Sequence, residues 1–300
     1  MKEAIRRIVP AGMWQAARKM KRKARLRKMK AENPPVSKGQ LVRDLRAMGI
    51  AAGDVIFVHS SLSNLGFIEG GPDTVVDALM ETVGTEGTIA LPTFSMKTGM
   101  KEALESGDLV FDPLSTPSTV GAITNTFRVR PGVYRSLHPT HSVAAWGRLA
   151  RIMTETHLEQ GTNFGAGTPF VKLLDFNGKI VGLGINYAYV TFYHTYEDLN
   201  PDKFPHVYYP QAFKARIKLE NGYREVVVRA HDPETHRHRI EKVPEILSYV
   251  GSFFESEGVV HEGRVGSSTS WWLYARDIIA CLEKMYSRGA TIYHTPNVKD

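Results

Sequence analysis

Cysteine is almost absent from this chain. The only one, Cys281, rules out an intrachain disulfide and a cysteine metal cluster, and it suits a reducing cytoplasm. Long apolar runs are missing as well. None reaches the ~18 residues that suggest a membrane span, and the charged N-terminus lacks the apolar stretch of a secretory signal. There is no Walker sequence, no GxGxxG after a strand and no GxSxG elbow. These absences argue against nucleotide hydrolysis, dinucleotide binding and elbow-type hydrolysis.

What is present is ordinary in bulk and uneven in charge. The 300 residues are 42% hydrophobic and 23% charged, enough for one large domain. The net charge of +7 is concentrated at one end. Residues 1–32 carry twelve Lys or Arg against Glu3 and Glu32, so the rest of the chain is mildly acidic. Ile5, Ile8, Val9, Met13, Trp14, Ala17 and Met20 recur at roughly helical intervals, with a break at Pro10. A basic amphipathic arm of this kind suits an anionic membrane surface, or a face packed on the body or on a second subunit. Nucleic acid is not expected, because no recognised motif accompanies the arm. Pro34 and Pro35 mark a linker. The expected organisation is an arm and linker over 1–37 and one catalytic domain over 38–300.

The pattern predicts a helix over 38–49, a buried strand at DVIFVHS (54–60), a helix after Pro72-Asp73 and a strand at 88–94. Further helices are expected near 119–128 and 148–158, and strands at 143–147 and 179–185. Residues 213–230 read as a hairpin turning at Asn221-Gly222. The C-terminal part reads as two helical stretches, EKVPEILSYVGSFFESEG and SSTSWWLYARDIIACLEKMYSRG, joined by a short basic turn, with Cys281 on an apolar face beside Ile278 and Met285. Alternating strands and helices imply an α/β fold, a layered mixed β-sheet flanked by helices.

Two stretches can carry chemistry. In TFYHTYED (191–198), His194 and Glu197 are three apart and share a face if the segment is helical. A carboxylate orients an imidazole and strengthens it as a general base. HSSL, with His59, Ser60, Ser61 and Leu62, ends a strand before a Gly-rich turn. Hydroxyls and backbone N–H groups at such an end can hold a phosphate or an amide-rich ligand. His138 and His141, in SLHPTHSVAAWG, do not have a recognised metal-ligand spacing, and no metal is expected.

Six segments, taken in order, resemble the aminoglycoside 3-N-acetyltransferase family, also called antibiotic N-acetyltransferase-like. They are HSSLSNLGFIEGG and its continuation (59–95), FDPLSTPSTVGAITNTFR (111–128), RSLHPTHSVAAWG (135–147), 161–185, TFYHTYED (191–198) and FFESEGVVHEGRVGSSTSWWLYARDII (253–279). The resemblance covers about residues 38–285. It implies the family's fold, and direct transfer of an acetyl or other acyl group from acyl-CoA to a primary amine of an amino sugar. By the same resemblance His194 is the base, and Glu197 orients it or holds the ammonium. Ser60, Ser61 or Ser142 would stabilise the oxyanion. His59, Ser60, Ser61, Leu62, Ser118, His138 and Ser142 would contact the co-substrate, and Tyr193, Asp198 and Arg237 the acceptor. His141 is expected to be a surface residue.

Two features depart from the resistance enzymes of this family. Aromatics fill NYAYVTFYH, and RAHDPETHRHR (229–239) is basic where a polycation would want acid. They point to a second acceptor class, a nucleotide- or lipid-linked amino sugar used for a surface polysaccharide at the inner membrane face. A non-catalytic membrane-associated binding protein is the competing class. A cytoplasmic enzyme, peripheral at the membrane, is the localisation these features imply.

Overall fold

The computed structural model describes Met20 and residues 34–96, 100–159, 161–232 and 234–296. The expectations for the basic arm, other than Met20, and for the linker as far as Asn33 lie outside the described residues.

Helix α1 (Lys38–Ala47) starts where the Ser37 side chain accepts a hydrogen bond from Gln40 N. Strand β1 (Val55–Ser60) follows, then α2 (Pro72–Val83), which opens with Pro at its first turn and closes at Gly84. Next come β2 (Thr88–Pro92), α3 (Met100–Glu105), β3 (Val110–Phe111), α4 (Ala122–Phe127), β4 (Tyr134–Arg135), β5 (Val143–Gly147) and α5 (Ala150–Thr154). Helix α6 (Pro169–Asp175) is capped by the Thr168 hydroxyl, which accepts from Val171 N. Strand β6 (Lys179–Leu183) leads into α7 (Tyr193–Leu199). The predicted hairpin is β7 (Phe213–Leu219) and β8 (Gly222–Val228), paired from Phe213–Val228 to Leu219–Gly222. Helix α8 (Pro244–Ser256), β9 (His261–Val265), β10 (Ser268–Tyr274) and α9 (Ala275–Ser287) complete the chain.

Seven strands form one mixed sheet in the order β4-β5-β2-β1-β6-β10-β9, and β3, β7 and β8 form a second. The middle of the large sheet is parallel: β1 pairs with β2 on one side and with β6 on the other. Its outer strands are antiparallel. Residues of β1 alternate between two cores. Val55 and Phe57 join the cluster that contains α6, α8 and α9 residues, whereas Ile56 and Val58 join the one containing α1 and α2 residues. A strand buried on both faces reads as a continuous apolar run, which is why VIFV was recognisable.

The C-terminal part corrects the helical expectation. Residues 268–274 are a strand that pairs antiparallel with β6 and, through a two-residue Gly266-Ser267 loop, with β9. Trp271 faces one core and Trp272 the other, the two-residue period of a strand. Gly266 has φ +62, and a Cβ there would lie 2.3 Å from Leu65 O, so only glycine fits this turn. Cys281 is buried on α9 among Ile278, Leu282 and Met285, as its spacing predicted, and burial pushes its thiol up to about 11.

Candidate active site

The C-terminal ends of the three parallel strands open into one cavity of about 1010 Å³. This is where open α/β sheets place ligands, because the strand ends leave backbone groups and loops around a crevice. Pro92 at the end of β2 and Phe94 just beyond it border the cavity, with His59 to Ser61 at the end of β1, and Gly184 and Ile185 after β6. The opposite wall includes His194 from α7, and His231, Arg239 and Glu241 from the segment between β8 and α8.

His194 is the second residue of α7, with its backbone N–H donating to Thr191 O. The helix puts Glu197 on the same face, and Nδ1 lies 2.7 Å from Glu197 Oε2. Both side chains are buried. The other ring nitrogen, Nε2, is 3.1 Å from Nη1 of Arg239. A carboxylate only accepts and a guanidinium only donates. Both partners therefore select the same neutral tautomer, with the proton on Nδ1 and the lone pair on Nε2.

The ring is wedged by aromatic neighbours. Phe164 lies 5.1 Å from it and His231 4.6 Å, between ring centroids. Phe164 in turn contacts His141 at 4.9 Å and Phe170 at 4.7 Å. Tyr208 stacks on His231, and the Arg229 guanidinium lies over Tyr208. Burial, and then the Asp198 carboxylate, hold the Tyr208 hydroxyl well above its ordinary range. The Tyr293 hydroxyl is likewise raised by burial, and next by the charge of Glu197.

The predicted residues divide into those on the cavity wall and those behind it. His59, Ser60, Ser61, Tyr193 and His194 line the cavity. Burial drives His59 down to about 3, so it is neutral, and its Nε2 lies 3.4 Å from the Thr191 hydroxyl. Tyr193 donates its hydroxyl to Tyr187 O at 3.0 Å. Glu197 reaches the cavity only through His194.

Leu62, Ser118, His138, Ser142, Asp198 and Arg237 are not among the lining residues. Leu62 packs against the α1/α2 core. Ser118 is buried against Thr124, and it is Thr124 and Val120 that face the cavity. Ser142 donates to Thr93 O and receives Arg135 Nε, on the far side of β5. The Nε2 of His138 lies 3.1 Å from Asn163 Oδ1, while its Nδ1 accepts from the backbone N–H of His141. His141, expected at the surface, is buried and forms part of the cavity wall. The ring His138 supports is thus the one that faces the site. Asp198 turns away from the cavity to the backbone of Phe164, and burial raises its pKa. Arg237 is two-thirds exposed and pairs with Glu234. Two residues on, Arg239 holds the cavity position that the sequence suggested for Arg237.

Glu241 is the cavity residue that sequence reasoning missed, and His231 and Arg239 entered it only as members of a basic cluster. All belong to or adjoin the basic 229–239 run, whose charge was visible and whose register was not. Among the described residues, one group has the donor spacing of a metal site: His194, Glu197 and His231, with ligand atoms within 4.8 Å of one another. The hydrogen bond between His194 and Glu197 already occupies one pair of those donors, and the cation of Arg239 beside the same ring opposes a metal by charge.

The aminoglycoside 3-N-acetyltransferase family model matches residues 57–287. An aminoglycoside N(3)-acetyltransferase VII from Streptomyces paromomycinus is 28% identical over 271 residues, 84% of this chain and 91% of the relative. The crystal structure of the YokD protein from Bacillus subtilis superposes with a TM-score of 0.71 at 26% identity, covering 87% of this chain and 97% of that one. A structure of AAC-VIa bound to sisomicin superposes at 0.68 and 28% identity, over 82% and 96% of the two chains. The chain therefore belongs to the aminoglycoside 3-N-acetyltransferase family and is a CoA-dependent N-acyltransferase.

Proposed function

We propose that this enzyme transfers the acetyl group of acetyl-CoA to a primary amine of an aminoglycoside-type amino sugar, with His194 as general base. The observation that carries the reading is the orientation of His194: Nδ1 on Glu197 and Nε2 on the Arg239 side, with His194 and Arg239 both lining the cavity. Acetyl-CoA supplies an activated acyl carbon. The cavity volume suits a pantetheine tail together with a sugar. The hydroxyls of Ser60 and Ser61 at the end of β1 and the backbone beyond β6 supply donors for the thioester oxygen. The acceptor enters as an ammonium and releases one proton to solvent, becoming a free amine. As this nitrogen attacks, the new C–N bond forms and the C–S bond breaks; His194 takes the second proton from the nitrogen at Nε2 and passes it to the departing sulfur, so that CoA leaves as a thiol. Glu197 stabilises the imidazolium that exists in between.

The test is release of free thiol from acetyl-CoA in the presence of sisomicin. His194→Ala should lower kcat by about 10²–10⁴-fold. A variant that keeps wild-type turnover removes His194 from this role.

A second acceptor, a nucleotide-linked amino sugar, is favoured by one observation. Among the described residues, the carboxylates lining the cavity are Glu241 and Glu262; the first is bonded to Arg239 and the second accepts from the Tyr187 hydroxyl at 3.3 Å. That is little negative charge for a polycation. A higher kcat/KM for the nucleotide-linked sugar than for sisomicin selects this acceptor, and the reverse order rejects it.

A further inference from the structure

A neutral imidazole has one lone pair in the plane of its ring, on the nitrogen that carries no proton. An amine that gives a proton to His194 must bring its own N–H to that lone pair. In this structure the position is filled by Nη1 of Arg239, 3.1 Å from Nε2. The acceptor and Arg239 therefore compete for one place.

The rest of the guanidinium is held as the charge of an ammonium would be. Its Nε lies 2.7 and 2.6 Å from the two carboxylate oxygens of Glu241, and Nη2 donates to the same carboxylate. Glu241 and Arg239 both line the cavity. Their side chains are 17% and 21% exposed, open enough for a long side chain to swing out and buried enough for charge pairing to count. The backbone between them is fixed, since Ile240 is buried and its N–H donates to Ile292 O at 2.8 Å. Movement is thus confined to side chains, and of the two, Arg239 has the longer reach.

We propose that Glu241 is the carboxylate that receives the acceptor's ammonium beside His194, and that the Arg239 guanidinium fills this place until the acceptor displaces it. The proposal rests on His194 being the base. It makes Glu241 an acceptor-binding residue and Arg239 a gate whose departure exposes the lone pair. A guanidinium already matched by a carboxylate is a poor hook for an anionic group of the acceptor, so a role for Arg239 in holding such a group is the opposing outcome.

The experiment has two arms. Diethyl pyrocarbonate acylates the unprotonated imidazole nitrogen, and peptide mass spectrometry resolves which histidine reacts. Arg239→Ala and Arg239→Gln should label severalfold faster than wild type at His194, while His59, on the same cavity, keeps its rate and reports an intact fold. Unchanged labelling of His194 in both variants overturns the gate. In the second arm, acetylation of sisomicin is followed in Arg239→Ala and in Arg239→Ala/Glu241→Gln. The single variant should lower KM for sisomicin. Adding the Glu241 change should raise it about tenfold or more, as loss of a charged hydrogen bond does, with KM for acetyl-CoA unmoved. A higher KM in Arg239→Ala, or equal values in the two variants, overturns the assignment of Glu241. Full activity of His194→Ala would instead refute the base, and the labelling arm would still decide whether Arg239 covers the ring.

Discussion

The carboxylate of Asp198 accepts the backbone N–H of Phe164 at 2.8 Å, which ties helix α7 to the ring that packs on His194. Asp198 follows Glu197 directly, so one turn of helix carries both the partner of the base and the anchor of its aromatic wall. Asp198→Ala leaves a part-buried N–H without its acceptor, and should cost about 1–3 kcal/mol of stability together with a fall in kcat. Asp198→Asn keeps an acceptor oxygen and should recover most of both. Burial raises the Asp198 pKa, so its ionised form is the costly one, and its contribution to stability declines as pH rises through the folded pKa. Chemical denaturation of the two variants checks the order, and equal losses would show that the hydrogen bond does not matter.

Gly182 is a close-approach point of the sheet. A Cβ there would lie 2.2 Å from the Trp271 ring, whose indole N–H donates to Ile185 O at 2.7 Å. Gly182→Ala must push the indole out of the cavity wall or bend β6. Overpacking of this kind costs about 1–3 kcal/mol. A lower urea midpoint and a raised KM for the acceptor are expected; an unchanged midpoint would mean that the strand and the indole part without strain.

Acid stability follows from three buried histidines. Burial holds His59 down at about 3 and His157 at about 4, and it holds His138 well below the ordinary range, with the neighbouring His157 and His141 acting in the same direction. The unfolded rings titrate near 6.5. These folded pKa values are depressed, so the unfolded chain binds more protons below that point. The stabilisation present above pH 6.5 is lost as pH falls towards 4, at about 1.4 kcal/mol per pH unit for each ring. Thermal unfolding should show Tm dropping steadily between pH 6.5 and 4. A flat profile would contradict burial of these rings in neutral form.

Local regularities were legible in the sequence and long-range ones were not. VIFV read as a strand because both of its faces are covered, and His194 with Glu197 read as a pair because three residues is one helical turn. Loop phase has no period, so the expectation that His138 contacts the co-substrate and His141 lies at the surface had no register behind it; the fold gives His138 to Asn163 and His141 to the cavity. The same ambiguity separated Arg237 from Arg239. SSTSWWLY was absorbed into the helix that follows because nothing punctuates the junction at Ala275. The signal was there in Gly266-Ser267, a two-residue hairpin loop, and in two tryptophans facing opposite cores.

Glu197→Gln isolates what the carboxylate does for the base. Glutamine can still accept the Nδ1 proton with its carbonyl oxygen, so the ring orientation and its tautomer survive. What disappears is the negative charge, 2.7 Å from the ring, that would stabilise the imidazolium formed when the acceptor gives up its proton. The charge acts after the substrates have bound, so KM for acetyl-CoA should stay the same while kcat falls by about 10²-fold, the lower end of a general-base contribution. If kcat is unchanged and both KM values rise, Glu197 shapes the cavity and plays no part in proton transfer.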